Sequence, residues 1–163
     1  MTKANEMKMA MTAFFAALAA LLGWKGILAL VWVAAMALDY ISGTAAACKS
    51  GAWSSSTARQ GLWHKGGMIL VVLVAGLADM IMEVICSNIH IGIAWPGAVL
   101  PLVLAWYILT ELGSVLENSV KMGANVPKWL VKMLKNGKKA IDTAGVNAAE
   151  NREETENAGN DSE

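Results

Sequence analysis

The chain is short of almost everything that active sites are built from. Its 163 residues include two His and two Cys, and Cys48 and Cys86 stand at no spacing that a metal site or a disulfide framework uses. No nucleophile is set beside a base, and no glycine-rich loop is placed to cradle phosphate. Neither enzymatic activity nor a cofactor, a metal or a nucleic-acid partner is therefore expected. Charge is scarce as well, at 16% of residues against about 25% in soluble domains. Proline is limited to Pro96, Pro101 and Pro127, so little interrupts long helices.

What is abundant is apolar surface, 56% of the chain, against about 45–50% in soluble domains. The stretch Gly26–Ala47, GILALVWVAAMALDYISGTAAA, is long enough at helical rise to cross a bilayer and carries a single charge, Asp39. Its large aliphatic side chains, at roughly −0.3 to −0.6 kcal/mol each, about balance the roughly +3 kcal/mol of a mid-helix Asp. Such a helix inserts marginally and gains from neighbours. Ser42, Gly43, Ala46 and Ala47 form small-xxx-small pairs of the kind that let helix backbones approach closely in lipid.

Two further spans follow. Gly66–Ile85 contains Asp79 and Glu83, four apart and so on one face. Trp95 to about Val115 opens at Pro96, and Pro101 either kinks it or falls in its first turn. No charge interrupts residues 91–110, and Glu111 and Glu117 mark the far end. Ser54–Thr57 can cap a helix leading into the second span, and Cys86–Ala94 reads as a neutral turn with Asn88 and His90. Ahead of the first span, Met9–Leu22 is apolar but short, and Gly23–Gly26 breaks it. A signal peptide cleaved after Ala35-Met36-Ala37 would hold Lys25 in its apolar region and destroy the central helix. The segment is therefore read as a membrane-embedded helix.

Net charge is zero, yet residues 121–139 hold six Lys and no acid, while 140–163 hold seven acids and one Arg. Lys128, Lys132 and Lys135 lie on one face of a helix whose other face carries Trp129 and Leu130. That is a basic interfacial helix suited to anionic lipid. The tail from Ala140 is expected to be disordered. The loop 48–65, with Lys49, Arg59, His64 and Lys65, and the 121–139 cluster both belong on the cytoplasmic side. That places the C-terminus there. Three spans satisfy this with the N-terminus outside; a fourth crossing by Met9–Leu22 would bring Lys3 and Lys8 inside as well.

The expected fold is thus all-α: a small integral membrane protein with three transmembrane helices and a membrane-embedded N-terminal helix, or a fourth span. Its parts are a leader with apolar helix (1–25), a transmembrane domain (26–120), a basic helix (121–139) and an acidic tail (140–163). The groups that call for a role are the acids in or near the bilayer, Asp39, Asp79, Glu83, Glu111 and Glu117. Glu111 and Glu117 can reach the interface and be solvated there, as can Glu83, with Lys25 nearby. Asp39 and Asp79 lie deeper and must face protein or water. They sit at different depths on antiparallel spans, so they are not expected to pair.

Three elements together resemble a known family: Leu38-Asp39-Tyr40-Ile41-Ser42-Gly43, the basic segment Gly61–Lys65 before the span holding Asp79, and Thr110-Glu111-Leu112-Gly113-Ser114-Val115-Leu116-Glu117-Asn118. They are similar to the phage lysis and toxin-secretion holins, the family of the clostridial toxin-release holins, with Thr110 where that family usually has Asn. The likeness covers roughly residues 26–135. It implies a phage- or prophage-encoded, multi-pass protein of the bacterial cytoplasmic membrane that assembles with itself into holes and causes host cell lysis. It implies an endolysin or a toxin as the functional partner, and membrane lipid as the medium. An antiholin, which would block the holes by mixed assembly, shares the same sequence features. A transporter or channel subunit would instead call for paired halves with interrupted helices, and only Pro101 interrupts anything here.

Overall fold

The computed structural model of the chain describes the backbone of residues 3–89 and 95–160, and side chains at residues 5, 23–89 and 95–150. Four helices follow in order: α1 (Lys3–Lys49), α2 (Ser55–Asn88), α3 (Val99–Lys121) and α4 (Lys128–Asn160). Among the described residues, three helices are long and apolar enough to cross a membrane: Gly23–Lys49, Ser55–Asn88 and Val99–Lys121. The all-α expectation with three spanning helices holds. Met9–Leu22 is helical in backbone as part of α1, but its side chains, and with them its membrane embedding, lie outside the described residues. So do His90 and the rest of 90–94 in the expected turn.

The break expected across Gly23–Gly26 is confined to one residue. Gly23 adopts φ 63°, ψ −174° inside α1, a conformation that costs glycine nothing and other residues a good deal. At the start of α2, the Ser54 hydroxyl accepts from the Thr57 N–H at 3.2 Å, the capping anticipated from the serine run. The helix thus begins eleven residues ahead of the expected span, at Ser55, and Lys65 lies within it rather than in a loop.

α3 is the hub: α1, α2 and α4 all pack on it, while α1 and α2 scarcely meet. The core is small. Trp32 of α1, Met68 of α2 and Leu104 and Ile108 of α3 form it, and Trp32 stacks on Tyr107 with centroids 6.1 Å apart. Ala35 and Ala75, also buried, let the helices close up around it. The Trp32 Nε1 finds no acceptor among the described residues, at a cost of about 1–3 kcal/mol. Most large apolar side chains point outward instead. Ile41, Leu70 and Val74 are each about two-thirds exposed, a distribution suited to lipid as the outer solvent and not to water.

α4 starts at the basic segment, packs along α3 and runs from Lys128 to Asn160. Ala140, Ala144, Ala148, Ala149 and Glu150 have high helix propensity, and contact with α3 carries the helix beyond the basic segment.

Candidate functional site

At the end of the bundle where α1 and α3 finish and α2 begins, the three motif elements converge on one partly buried polar knot. Lys65 Nζ donates to Asp39 Oδ2 at 3.0 Å and to Glu111 Oε2 at 2.6 Å. Asn118 Nδ2 donates to Asp39 Oδ1 and to Ser42 Oγ, each at 3.1 Å, and Ser42 Oγ donates back to the Asp39 carbonyl at 3.1 Å. Asp39 and Ser42 share a face because they lie three apart on α1, and Glu111 and Asn118 because seven residues is two turns of α3. One cation therefore answers two acids, and an amide donates to one of them. Glu111, expected at the solvated interface, is instead 4% exposed; Glu117 is exposed. Lys49 Nζ also donates to the Met122 carbonyl, which ties the ends of α1 and α3 together.

The small residues foreseen as a helix-packing face are used within the protomer. Ala46 is buried, and a Cβ on Gly43 would stand 3.4 Å from Asn118 Nδ2, so α1 meets α3 there at near-contact distance. Gly43→Ala should fit. Gly43→Leu should force the helices apart and lower stability by about 1–3 kcal/mol, read as an earlier unfolding midpoint in detergent. Beside the knot opens a cavity of about 370 Å³, onto which Tyr40, Ala47, His64, Ser114, Glu117 and Lys121 face. Leu38 points outward, 53% exposed.

Asp79 does something else at the opposite end. Its Oδ1 accepts from Trp95 Nε1 and from the Val99 N–H, and its Oδ2 from the Leu100 N–H, all at 3.0 Å. α3 has no capping side chain of its own, since its N-cap is Ala98. Val99 and Leu100 are satisfied from α2, Pro101 has no N–H, and the Leu102 N–H bonds the Ala98 carbonyl at 3.1 Å. Every amide of the first turn is accounted for, and Pro101 costs nothing there. Lys25 Nζ stands 3.9 Å from Asp79 Oδ2, so the lysine expected near Glu83 pairs with Asp79, and Glu83 is exposed.

The two charge layers are reciprocal. Lys25 and Asp39 lie fourteen residues apart on α1, as do Lys65 and Asp79 on α2, a rise of roughly 21 Å. Because the helices are antiparallel, each Asp meets the other helix's Lys. Asp39 and Asp79 remain at separate depths, as expected. The residue that reading the sequence missed is Lys65. Its signal was the equal Lys-to-Asp spacing in the two helices. Among Lys128, Trp129, Lys132 and Lys135, the proposed lipid-facing group of α4, all are exposed. Among the described residues no group of three His, Cys, Asp or Glu could hold a metal ion.

The sequence model described as "Bacteriophage holin family" matches residues 16–139, which extends the likeness about ten residues further toward the N-terminus than the motifs alone. Curated relatives include an uncharacterized protein of Clostridium perfringens strain 13, 32% identical over 60% of this chain and 65% of its own length. An uncharacterized 14.9 kDa protein of Clostridium perfringens is 32% identical over 63% of this chain and 71% of its own. An uncharacterized protein of Listeria innocua is 30% identical over 78% of this chain and 84% of its own. No solved structure matches.

Proposed function

The chain belongs to the bacteriophage holin family, and from that premise we propose that it gathers in the bacterial cytoplasmic membrane into holes. Through them an endolysin or a toxin leaves the cell, and lysis follows. The role is structural, not enzymatic. The observation that carries this reading is the closed polar knot: Asp39, Lys65, Glu111 and Asn118 answer one another inside a single protomer. With these charges answered inside the protomer, α1, α2 and α3 present mainly apolar side chains to lipid at the depth of the knot. It can accumulate without harm until crowding makes helix association worthwhile.

In this reading Asp39 sets how firmly α1 is held to α2 and α3, and so how readily the protomer rearranges on assembly. Asp39→Asn keeps an acceptor for Asn118 but loses the charge that faces Lys65, whose remaining partner is Glu111. The expected result is normal membrane insertion with an altered onset of lysis; unchanged timing would reduce Asp39 to a packing residue. Induction of the chain with and without an endolysin, followed by release of a cytoplasmic reporter enzyme, tests the whole reading. Release is expected from the holin. Cells that grow on undisturbed, and that protect themselves against another holin, would mark an antiholin.

A further inference from the structure

The polar groups of the knot and of the Asp79 layer are answered within α1, α2 and α3. α4 is different. It runs antiparallel to α3, held there by specific contacts. Lys138 Nζ lies 3.8 Å over the Trp106 ring, and Trp106 Nε1 donates to Asp142 Oδ1 at 2.6 Å. A Cβ on Gly137 would meet Leu109 Cδ1 at 3.2 Å. Further along, Ile141, Gly145 and Val146 line one cavity with Leu102 and Val103 of α3. This register sets residues 137–146 of α4 level with residues 102–109 of α3, within the uncharged run that ends before Glu111.

The opposite face of α4 carries Lys132, Asn136, Lys139, Thr143, Asn147 and Glu150. Their spacing of four, three, four, four and three keeps them on one helical stripe, and all six are exposed. Such a stripe cannot face lipid at that depth. A helix lying flat on the membrane would keep the stripe in water, but it would give up the contacts with Trp106 and Leu109. Contact with α3 on one face and water on the other are met together only where water itself crosses the bilayer.

We propose that α4 is the wall of the opening: in the assembled hole it stands along α3 through the bilayer, with the Lys132–Glu150 stripe turned to the aqueous lumen. The inference rests on the hole-forming reading above. Before assembly, with no water at that depth, α4 stays at the membrane surface and off α3.

The test uses the full chain in cells, with Cys48→Ala and Cys86→Ala as background. Leu109→Cys with Gly137→Cys reports the contact through a short membrane-permeant bismaleimide. Cross-linking is expected to be undetectable before the membrane potential falls and to become the major species as it falls. A second series needs no pair and covers the case in which the glycine substitution prevents folding. Single cysteines at Lys139, Thr143 and Asn147 should react with an impermeant maleimide once holes open, while those at Leu134 and Ile141, which are partly buried against α3, stay shielded. Equal labelling at all five positions, or cells that depolarise on schedule with no α3–α4 cross-link, would overturn the proposal and leave the holin reading standing. A background chain that never depolarises the cell would remove that reading, and the proposal with it.

Discussion

Replacing Lys65 by Met is expected to be among the most damaging single changes in the chain. It leaves Asp39 and Glu111 facing one another without the cation that donates to both, at 3.0 and 2.6 Å. Removing one partner of a buried ion pair costs about 3–5 kcal/mol, because the remaining charge stays desolvated and unanswered. The Asn118 amide donates to Asp39 and offsets part of that. The triple variant Asp39→Asn, Lys65→Met, Glu111→Gln removes charge from both sides of the contact and should recover most of the loss, since neutral side chains of similar size carry no such penalty. Unfolding of the detergent-solubilised protein measures both. A Lys65→Met protein as stable as the parent would mean that the three side chains are solvated and not tied together.

Asp79→Ala is the second large effect. It orphans the Val99 and Leu100 amides and removes the carboxylate to which the Trp95 indole N–H donates, all three bonds being 3.0 Å long. Each unmade bond to a buried donor costs about 1–3 kcal/mol. Water can reach part of this layer, because Lys25 is about one-third exposed, so a total of about 3 kcal/mol is expected. Asp79→Asn should fall between, since its one carbonyl oxygen can serve Trp95 or Val99 but its amide opposes the Leu100 N–H. Hydrogen exchange locates the effect. Protection should be lost at residues 99–102 and kept around Leu104 and Ile108, which the core holds.

These two variants also mark the boundary of what could be read from sequence. The spans were legible because apolar runs of bilayer length have few other uses, and the Ser54 cap because a serine run ahead of a helix has a direct backbone purpose. The acids were legible as unusual groups, since a charge inside such a run needs a partner. Their partners were not. Lys65 looks like one more cation in a basic loop until α2 is seen to begin at Ser55. Nothing local ties it to Glu111, forty-six residues away. Glu111 ends an uncharged run, a position that points to the solvated interface; tertiary contact with α2 buries it instead. The Asp79 cap had an indirect sign, an α3 start at Pro96-Gly97-Ala98 that supplies no capping side chain. The course of α4 had none, because an amphipathic basic helix reads the same whether its apolar face meets lipid or α3.

The reciprocal arrangement of Lys25–Asp79 and Lys65–Asp39 has a physical consequence for the protomer. Each pair alone is a weak source of stability, since desolvation offsets most of the attraction. Together they fix direction and register. A slide of α1 against α2 by one turn separates both pairs at once, and a parallel arrangement would set Lys against Lys. Charge thus specifies how α1 and α2 stand where apolar contact between them is sparse, and α3 fills the space that remains.

The membrane potential of cells that make this chain and no endolysin is the most direct measurement of the central claim. The account predicts a long interval in which protein accumulates in the membrane with the potential intact, then an abrupt collapse. A potential that stays at its resting value while the protein reaches high density in the membrane would contradict it.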